Sequence, residues 1–123
     1  MPAKILIADD DAPMRILYSR MFSGRGYDIS MASSYSEAAG MIAARDYDLL
    51  ITDFMFDDGI GTELVSLFNK KKRKKGPRGP RSLLVTGYPS APGRDRCPEV
   101  AGYFEKPFRV EDFMKAVETA LAA

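Results

Sequence analysis

The chain has 123 residues, 46% of them hydrophobic and 28% charged, the balance of a soluble globular protein with room for one domain, 1–123. No apolar run approaches the ~20 residues of a spanning helix, which excludes a membrane span. There is no histidine, which removes His-based zinc sites, Ser-His-Asp triads and Cys-His dyads, and the one cysteine, Cys97, has no partner for an internal disulfide.

The N-terminal run Lys4-Ile5-Leu6-Ile7-Ala8 is too short for a signal peptide and meets acid at once, so a cytoplasmic location is expected. The net charge of +1 conceals a segregation. Residues 69–81 hold eight of the 18 basic residues and no acid, leaving 10 basic against 17 acidic residues elsewhere. The body is therefore acidic, and one segment, read as a basic insertion at 69–81, carries the positive charge.

Lys4 to Ala8 reads as a buried strand ending in Asp9-Asp10-Asp11. Met14, Leu17, Tyr18, Met21 and Phe22 then recur at helical spacing, with Asp11 as N-cap, Pro13 in the first turn and Gly24 and Gly26 ending the helix. Tyr27 to Ala32 is a weaker strand. Ser34 or Ser36 caps a second helix that turns Tyr35, Ala38, Ala39 and Ile42 inward. Asp48 to Thr52 is an apolar run ending at Asp53. A glycine-containing loop follows, then a helix through Glu63, Leu64, Leu67 and Phe68 that the first lysines of the basic run extend. Ser82 to Thr86 is a fourth strand and Val100 to Phe104 a fifth. Val110, Phe113, Met114, Val117 and Leu121 mark a last helix. Between strands four and five, residues 88–98 hold three prolines, so the fourth helix of the alternation is expected to be short or irregular. Strands alternating with helices predict an α/β protein with a parallel sheet covered on both faces.

Ligands of such sheets bind beyond the carboxyl ends of the strands. Asp9 and Asp10 follow strand one, Asp53 ends strand three, Thr86 ends strand four and Lys106 follows strand five. Clustered carboxylates repel one another unless a cation lies among them, and a hard divalent ion, most simply Mg²⁺, meets that need with oxygen ligands. Such an ion commonly takes a phosphate as a further ligand. A carboxylate can attack phosphorus to form an acyl phosphate, whose oxygens Thr86 and Lys106 could bind.

Ile5-Leu6-Ile7-Ala8-Asp9-Asp10-Asp11, Asp48-Leu49-Leu50-Ile51-Thr52-Asp53 with Gly61 eight residues on, Leu84-Val85-Thr86-Gly87 and Phe104-Glu105-Lys106-Pro107-Phe108 together closely resemble a response-regulator receiver domain of two-component signalling. The resemblance spans residues 4–121. It implies a flavodoxin-like, doubly wound sheet of five parallel strands in the order 2-1-3-4-5. It makes Asp53 the phosphoacceptor, with Mg²⁺ held by Asp9, Asp10, Asp53 and the backbone carbonyl of Met55. Thr86 would bind the phosphoryl group and move on activation. Lys106 would pair with the phosphate through a residue whose bond to Pro107 is cis. Tyr103 would be the aromatic switch.

The resemblance further implies a histidine kinase or histidine phosphotransfer protein as donor, and an unknown downstream protein as target. It implies autophosphorylation chemistry without turnover of a substrate. With the last helix ending at the chain's end, a single-domain receiver is expected. Two positions depart from the family pattern. Asp57, followed by Asp58, replaces a common proline and is read as a solvated turn. Met55 and Tyr88, where the family tunes phosphoryl lifetime, offer nothing to orient water, so slow dephosphorylation is expected. The proline-rich 89–98 stretch predicts a monomer or weak dimer. The basic run, lacking aromatics for base stacking, is read as solvated or protein-docking rather than a specific nucleic-acid site. Two other readings of the acidic cluster stand beside this one: an Asp-nucleophile phosphohydrolase or phosphotransferase, and a degenerate receiver that acts only as an interaction module.

Overall fold

The computed structural model describes residues 2–73, 81–87 and 100–122. Strands β1 (Lys4–Ala8), β2 (Asp28–Ala32) and β3 (Leu49–Asp53) alternate with helices α1 (Ala12–Phe22) and α2 (Tyr35–Ala44). A two-residue ladder, β4 (Met55–Phe56) with β5 (Gly59–Ile60), leads into α3 (Gly61–Arg73). β6 (Ser82–Thr86), β7 (Gly102–Glu105) and α4 (Val110–Ala122) complete the described chain. The main sheet is parallel and five-stranded in the order β2-β1-β3-β6-β7, which is the expected 2-1-3-4-5 once the small ladder is set apart. The stretch where a short or irregular fourth helix was expected lies outside the described residues, as do Tyr88 and Cys97.

The uninterrupted apolar runs of the central strands follow from burial on both faces. Leu6, Ala8, Leu50 and Leu84 face α2 and α3, where they pack with Ala38, Ile42, Leu64, Val65 and Phe68. Their neighbours Ile5, Ile7, Leu49, Ile51, Leu83 and Val85 face α1 and α4, against Tyr18, Phe22, Phe113, Met114 and Val117. Each such side chain withdrawn from water contributes roughly 1.5–3 kcal/mol. β2, on the sheet's edge, is only partly buried except at Ala32, which accounts for its weaker apolar pattern.

The helix ends are made by the residues the sequence offers. The Asp11 carboxylate accepts from the Met14 N–H at 3.2 Å, and Ser34 Oγ from the Glu37 N–H at 3.0 Å. Gly24 (φ 74°) and Gly26 (φ 79°) take the left-handed turn that brings the chain from α1 to β2. Three expected apolar-stripe positions are turned partly to water: Leu17 is 39%, Leu67 42% and Val110 41% exposed. Each lies at the margin of its helix's buried stripe, and Val65 fills the place next to Leu64 instead.

The expected basic insertion divides. Asn69–Arg73 are the last turns of α3, and Arg81, 6% exposed, leads directly into β6. Lys71 is held by α2, its Nζ donating to the Ile42 carbonyl at 2.5 Å and the Arg45 carbonyl at 2.6 Å. Lys72 lies 5.9 Å from the centre of the Phe68 ring. Among the described residues no helix is long and apolar enough to cross a membrane.

Candidate functional site

The three consecutive acids after β1 have separate tasks. Asp9 is fully buried: its Oδ1 accepts the Asp11 N–H at 2.9 Å and its Oδ2 lies 3.1 Å from Lys106 Nζ. Its backbone carbonyl accepts from the Arg15 guanidinium at 2.9 Å, which ties the end of β1 to α1. Asp11 caps α1, and Asp10 is exposed.

Asp53 ends β3 with its side chain 14% exposed. Oδ1 accepts the Phe54 N–H at 2.9 Å, and Oδ2 lies 3.7 Å from Lys106 Nζ. The segment after it is anchored on both sides. The Phe54 N–H donates to the Val85 carbonyl at 2.8 Å, and its own carbonyl accepts the Gly61 N–H at 2.7 Å. Gly61 must be glycine here, since a Cβ would fall 1.9 Å from the Asp53 carbonyl oxygen and 3.2 Å from Thr52 Oγ1.

Lys106 is aimed by its flanks. Phe104 and Phe108 both pack into the α1–α4 face; Phe108 stacks on Phe113 with centroids 4.6 Å apart, and Phe104 meets Phe113 edge-on at 5.1 Å. The lysine between them reaches back over the sheet edge to Asp9 and Asp53. The Lys106–Pro107 bond is cis, as the resemblance implies.

Carboxylate oxygens of Asp9, Asp10 and Asp53 all lie within 4.8 Å of one another. Burial, then the charge of Asp9, pushes the Asp53 carboxyl up to about 6, against the opposing pull of Lys106 and the Phe54 N–H. The neighbouring Tyr18 hydroxyl is driven upward by burial and by the charges of Asp9 and Asp53. Three carboxylates facing one ammonium leave a net negative centre. Its donors are all hard oxygens, so it fits Mg²⁺ by charge and ligand type.

Thr86 is fully buried at the end of β6, and its carbonyl accepts the Lys106 N–H at 2.6 Å. Tyr103 pairs in register with Leu84, so it shares the α2–α3 face of the sheet with Thr86 and packs against that core. Met55 follows Asp53 by two residues and is 48% exposed. Asp9, Asp10, Asp53 and Lys106 thus meet at one place, Thr86 ends the adjacent strand, and Tyr103 lies deeper on that strand's neighbour. Two further residues, both noticed in the sequence but given no task there, shape the site. Gly61 shapes the Asp53 peptide through a contact that only the fold creates. Asp58 is exposed in a turn, as read from the sequence, and also binds the start of α2: its carboxylate accepts the Tyr35 N–H at 2.9 Å and the Ser36 N–H at 3.0 Å.

A family model described as the response regulator receiver domain matches residues 5–118. Over 120 residues the chain is 31% identical to the DNA-binding transcriptional regulator NtrC of Rhizobium meliloti, aligning 98% of this chain but only 24% of that protein. It is 27% identical over 123 residues to sporulation initiation phosphotransferase F of Bacillus subtilis, covering 98% of this chain and 95% of that one. Among solved structures it resembles the response regulator protein TrrA from Thermotoga maritima in complex with Mg²⁺–BeF, at 25% identity and a TM-score of 0.81, over 96% of this chain and 98% of that chain.

Proposed function

The chain belongs to the response regulator receiver domain family of two-component signalling, and from that membership we propose that Asp53 accepts a phosphoryl group from a phosphohistidine. The donor would be a histidine kinase or a histidine phosphotransfer protein. The observation that carries the reading is the meeting of Asp9, Asp10 and Asp53 within 4.8 Å, with Lys106 reaching both Asp9 and Asp53.

With its carboxyl near 6 in the absence of a cation, Asp53 is largely ionised at neutral pH, the state that nucleophilic attack requires. The Phe54 N–H holds Oδ1 and leaves Oδ2 directed toward the Lys106 side. As the new oxygen–phosphorus bond forms, the phosphorus–nitrogen bond of the donor breaks. The electron pair stays on the ring nitrogen, and the imidazole takes its proton from solvent. Asp9, Asp10, Asp53 and the Met55 backbone carbonyl are the groups proposed to hold Mg²⁺, which when bound would offset the charge that the carboxylates and the incoming phosphoryl bring together. Lys106 would exchange part of its contact with Asp53 for a phosphoryl oxygen, and the Thr86 hydroxyl would donate to another. Movement of Thr86 at the end of β6 would alter the packing of Tyr103 on the same face of the sheet. That change would present a new surface to a downstream protein.

The decisive experiment is incubation with Mg²⁺ and acetyl phosphate. One phosphoryl group per chain is expected, with none on Asp53→Asn. Continuous turnover of the phosphodonor without a stable adduct would point to a phosphohydrolase instead. Absence of any Mg²⁺-dependent adduct would leave an interaction module.

A further inference from the structure

We propose that Asp58 is a positioning residue for the metal site: by fastening the β4–β5 turn to the first turn of α2, it holds the Met55 carbonyl where Mg²⁺ needs it. The inference rests on the reading of Asp9, Asp10, Asp53 and Met55 given above.

The β4–β5 ladder is only two residues long on each side, Met55 opposite Ile60 and Phe56 opposite Gly59, and so short a hairpin does not hold its own shape. Its base is secured by Phe54, whose N–H and carbonyl are bonded to Val85 and Gly61, and by the buried ring of Phe56. The tip needs a separate anchor. Asp58 supplies it with three hydrogen bonds across more than twenty residues of sequence: from the Tyr35 N–H at 2.9 Å, the Ser36 N–H at 3.0 Å and the Ser36 hydroxyl at 2.7 Å. These N–H groups belong to the first turn of α2, where orphan donors and the helix dipole favour a carboxylate. Ser34 caps Glu37 separately, so Asp58 does not duplicate the local cap.

The fit extends beyond the carboxylate. A Cβ on Gly59 would come within 2.4 Å of the Tyr35 ring, so the returning strand is pressed directly against the residue whose N–H Asp58 holds. Groups that fix the first ligands of a metal from behind commonly govern affinity about as strongly as tenfold or more. Neighbouring Asp57 is also exposed and acidic, and so serves as a control for charge alone.

The test is Mg²⁺ titration by calorimetry of wild type, Asp58→Ala, Asp58→Asn and Asp57→Ala, with phosphorylation by acetyl phosphate measured across Mg²⁺ concentrations. Asp58→Ala is expected to weaken Mg²⁺ binding on the order of tenfold. Its phosphorylation rate at saturating Mg²⁺ should stay within about twofold of wild type, so that the loss appears in Mg²⁺ affinity and not in the maximal rate. Asp58→Asn, which keeps its size and one acceptor oxygen, should lie between the two and serves if the alanine variant does not fold. Equal weakening in Asp57→Ala would reduce the effect to net charge and overturn the proposal. So would unchanged Mg²⁺ affinity in Asp58→Asn, even with lowered stability. A wild-type protein that binds no Mg²⁺ would remove the underlying site reading as well, whereas wild-type binding matched by both Asp58 variants removes this inference alone.

Discussion

At the scale of single residues, Asp53 is held in a state that works against stability. Its carboxyl lies near 6 in the folded protein, against an ordinary value of 3.8. Between about pH 4 and 6 the folded protein therefore retains a proton that the unfolded chain has released, and stability falls as pH rises through that window. Above it the deficit is constant. Two pK units correspond to at most about 3 kcal/mol, and residual contact with water reduces this to about 1–2 kcal/mol. Asp53→Asn is thus expected to be more stable than wild type at pH 7.5 in the presence of a chelator, with the gap closing near pH 4. Urea unfolding at the two pH values measures it. A variant no more stable than wild type at pH 7.5 would show that Lys106 already neutralises the cluster.

Among the elements, the segment from Asp53 to the start of α3 is the most constrained. The Asp53 carbonyl passes so close to Gly61 that no side chain fits between them. Gly61→Ala must push the Asp53 peptide aside or shift the first turn of α3, at a cost of about 2–4 kcal/mol. Because the displaced peptide belongs to the proposed phosphoacceptor, phosphorylation by acetyl phosphate should also slow, by tenfold or more on the order expected for a misplaced reacting group. Thermal unfolding and label incorporation together check this. A destabilised variant that takes up label at the wild-type rate would mean the shift is absorbed by α3. The other end of α3 is tied as well, since Lys71 closes the C-terminal carbonyls of α2. That lysine belongs to the fold before it belongs to any surface patch.

Across the whole molecule, charge is distributed along α3. The helix begins beside Asp53 and runs 13 residues to Arg73, about 20 Å at 1.5 Å per residue. The first lysine of the basic run, Lys70, therefore lies about 14 Å along the helix from Gly61, farther than the ~8 Å over which a charge is screened at physiological salt. The carboxylate cluster at the other end of the helix is the pole that the proposed ligands would bind. Mg²⁺ with beryllofluoride, at about 100 times the dissociation constant, should add about 2.7 kcal/mol and raise the melting midpoint on the order of 10 °C. Asp53→Asn should forfeit the beryllofluoride increment. An equal rise in both proteins would place the binding elsewhere.

Much of this was legible in the chain itself. The apolar runs ending in Asp9, Asp53 and Thr86 fixed the strands and the edge on which their ends gather, because a parallel sheet buried on both faces admits only such runs and aligns their carboxyl ends. Asp11 as cap and Gly24 and Gly26 as the turn were local features, readable from neighbours alone. What the tertiary structure alone decided depends on distances between residues far apart in sequence. The buried Asp9 carboxylate pairs with Lys106, 97 residues away. Asp58 bonds to residues 22 and 23 positions away, and Gly61 is confined by the peptide that precedes it across a turn. Residue type and spacing carry periodicity, caps and turns, since these arise within a few bonds. They carry no measure of which side chain fills a gap, or which carboxylate is pushed toward neutral pH. Those outcomes depend on the packed neighbours and on the water they exclude.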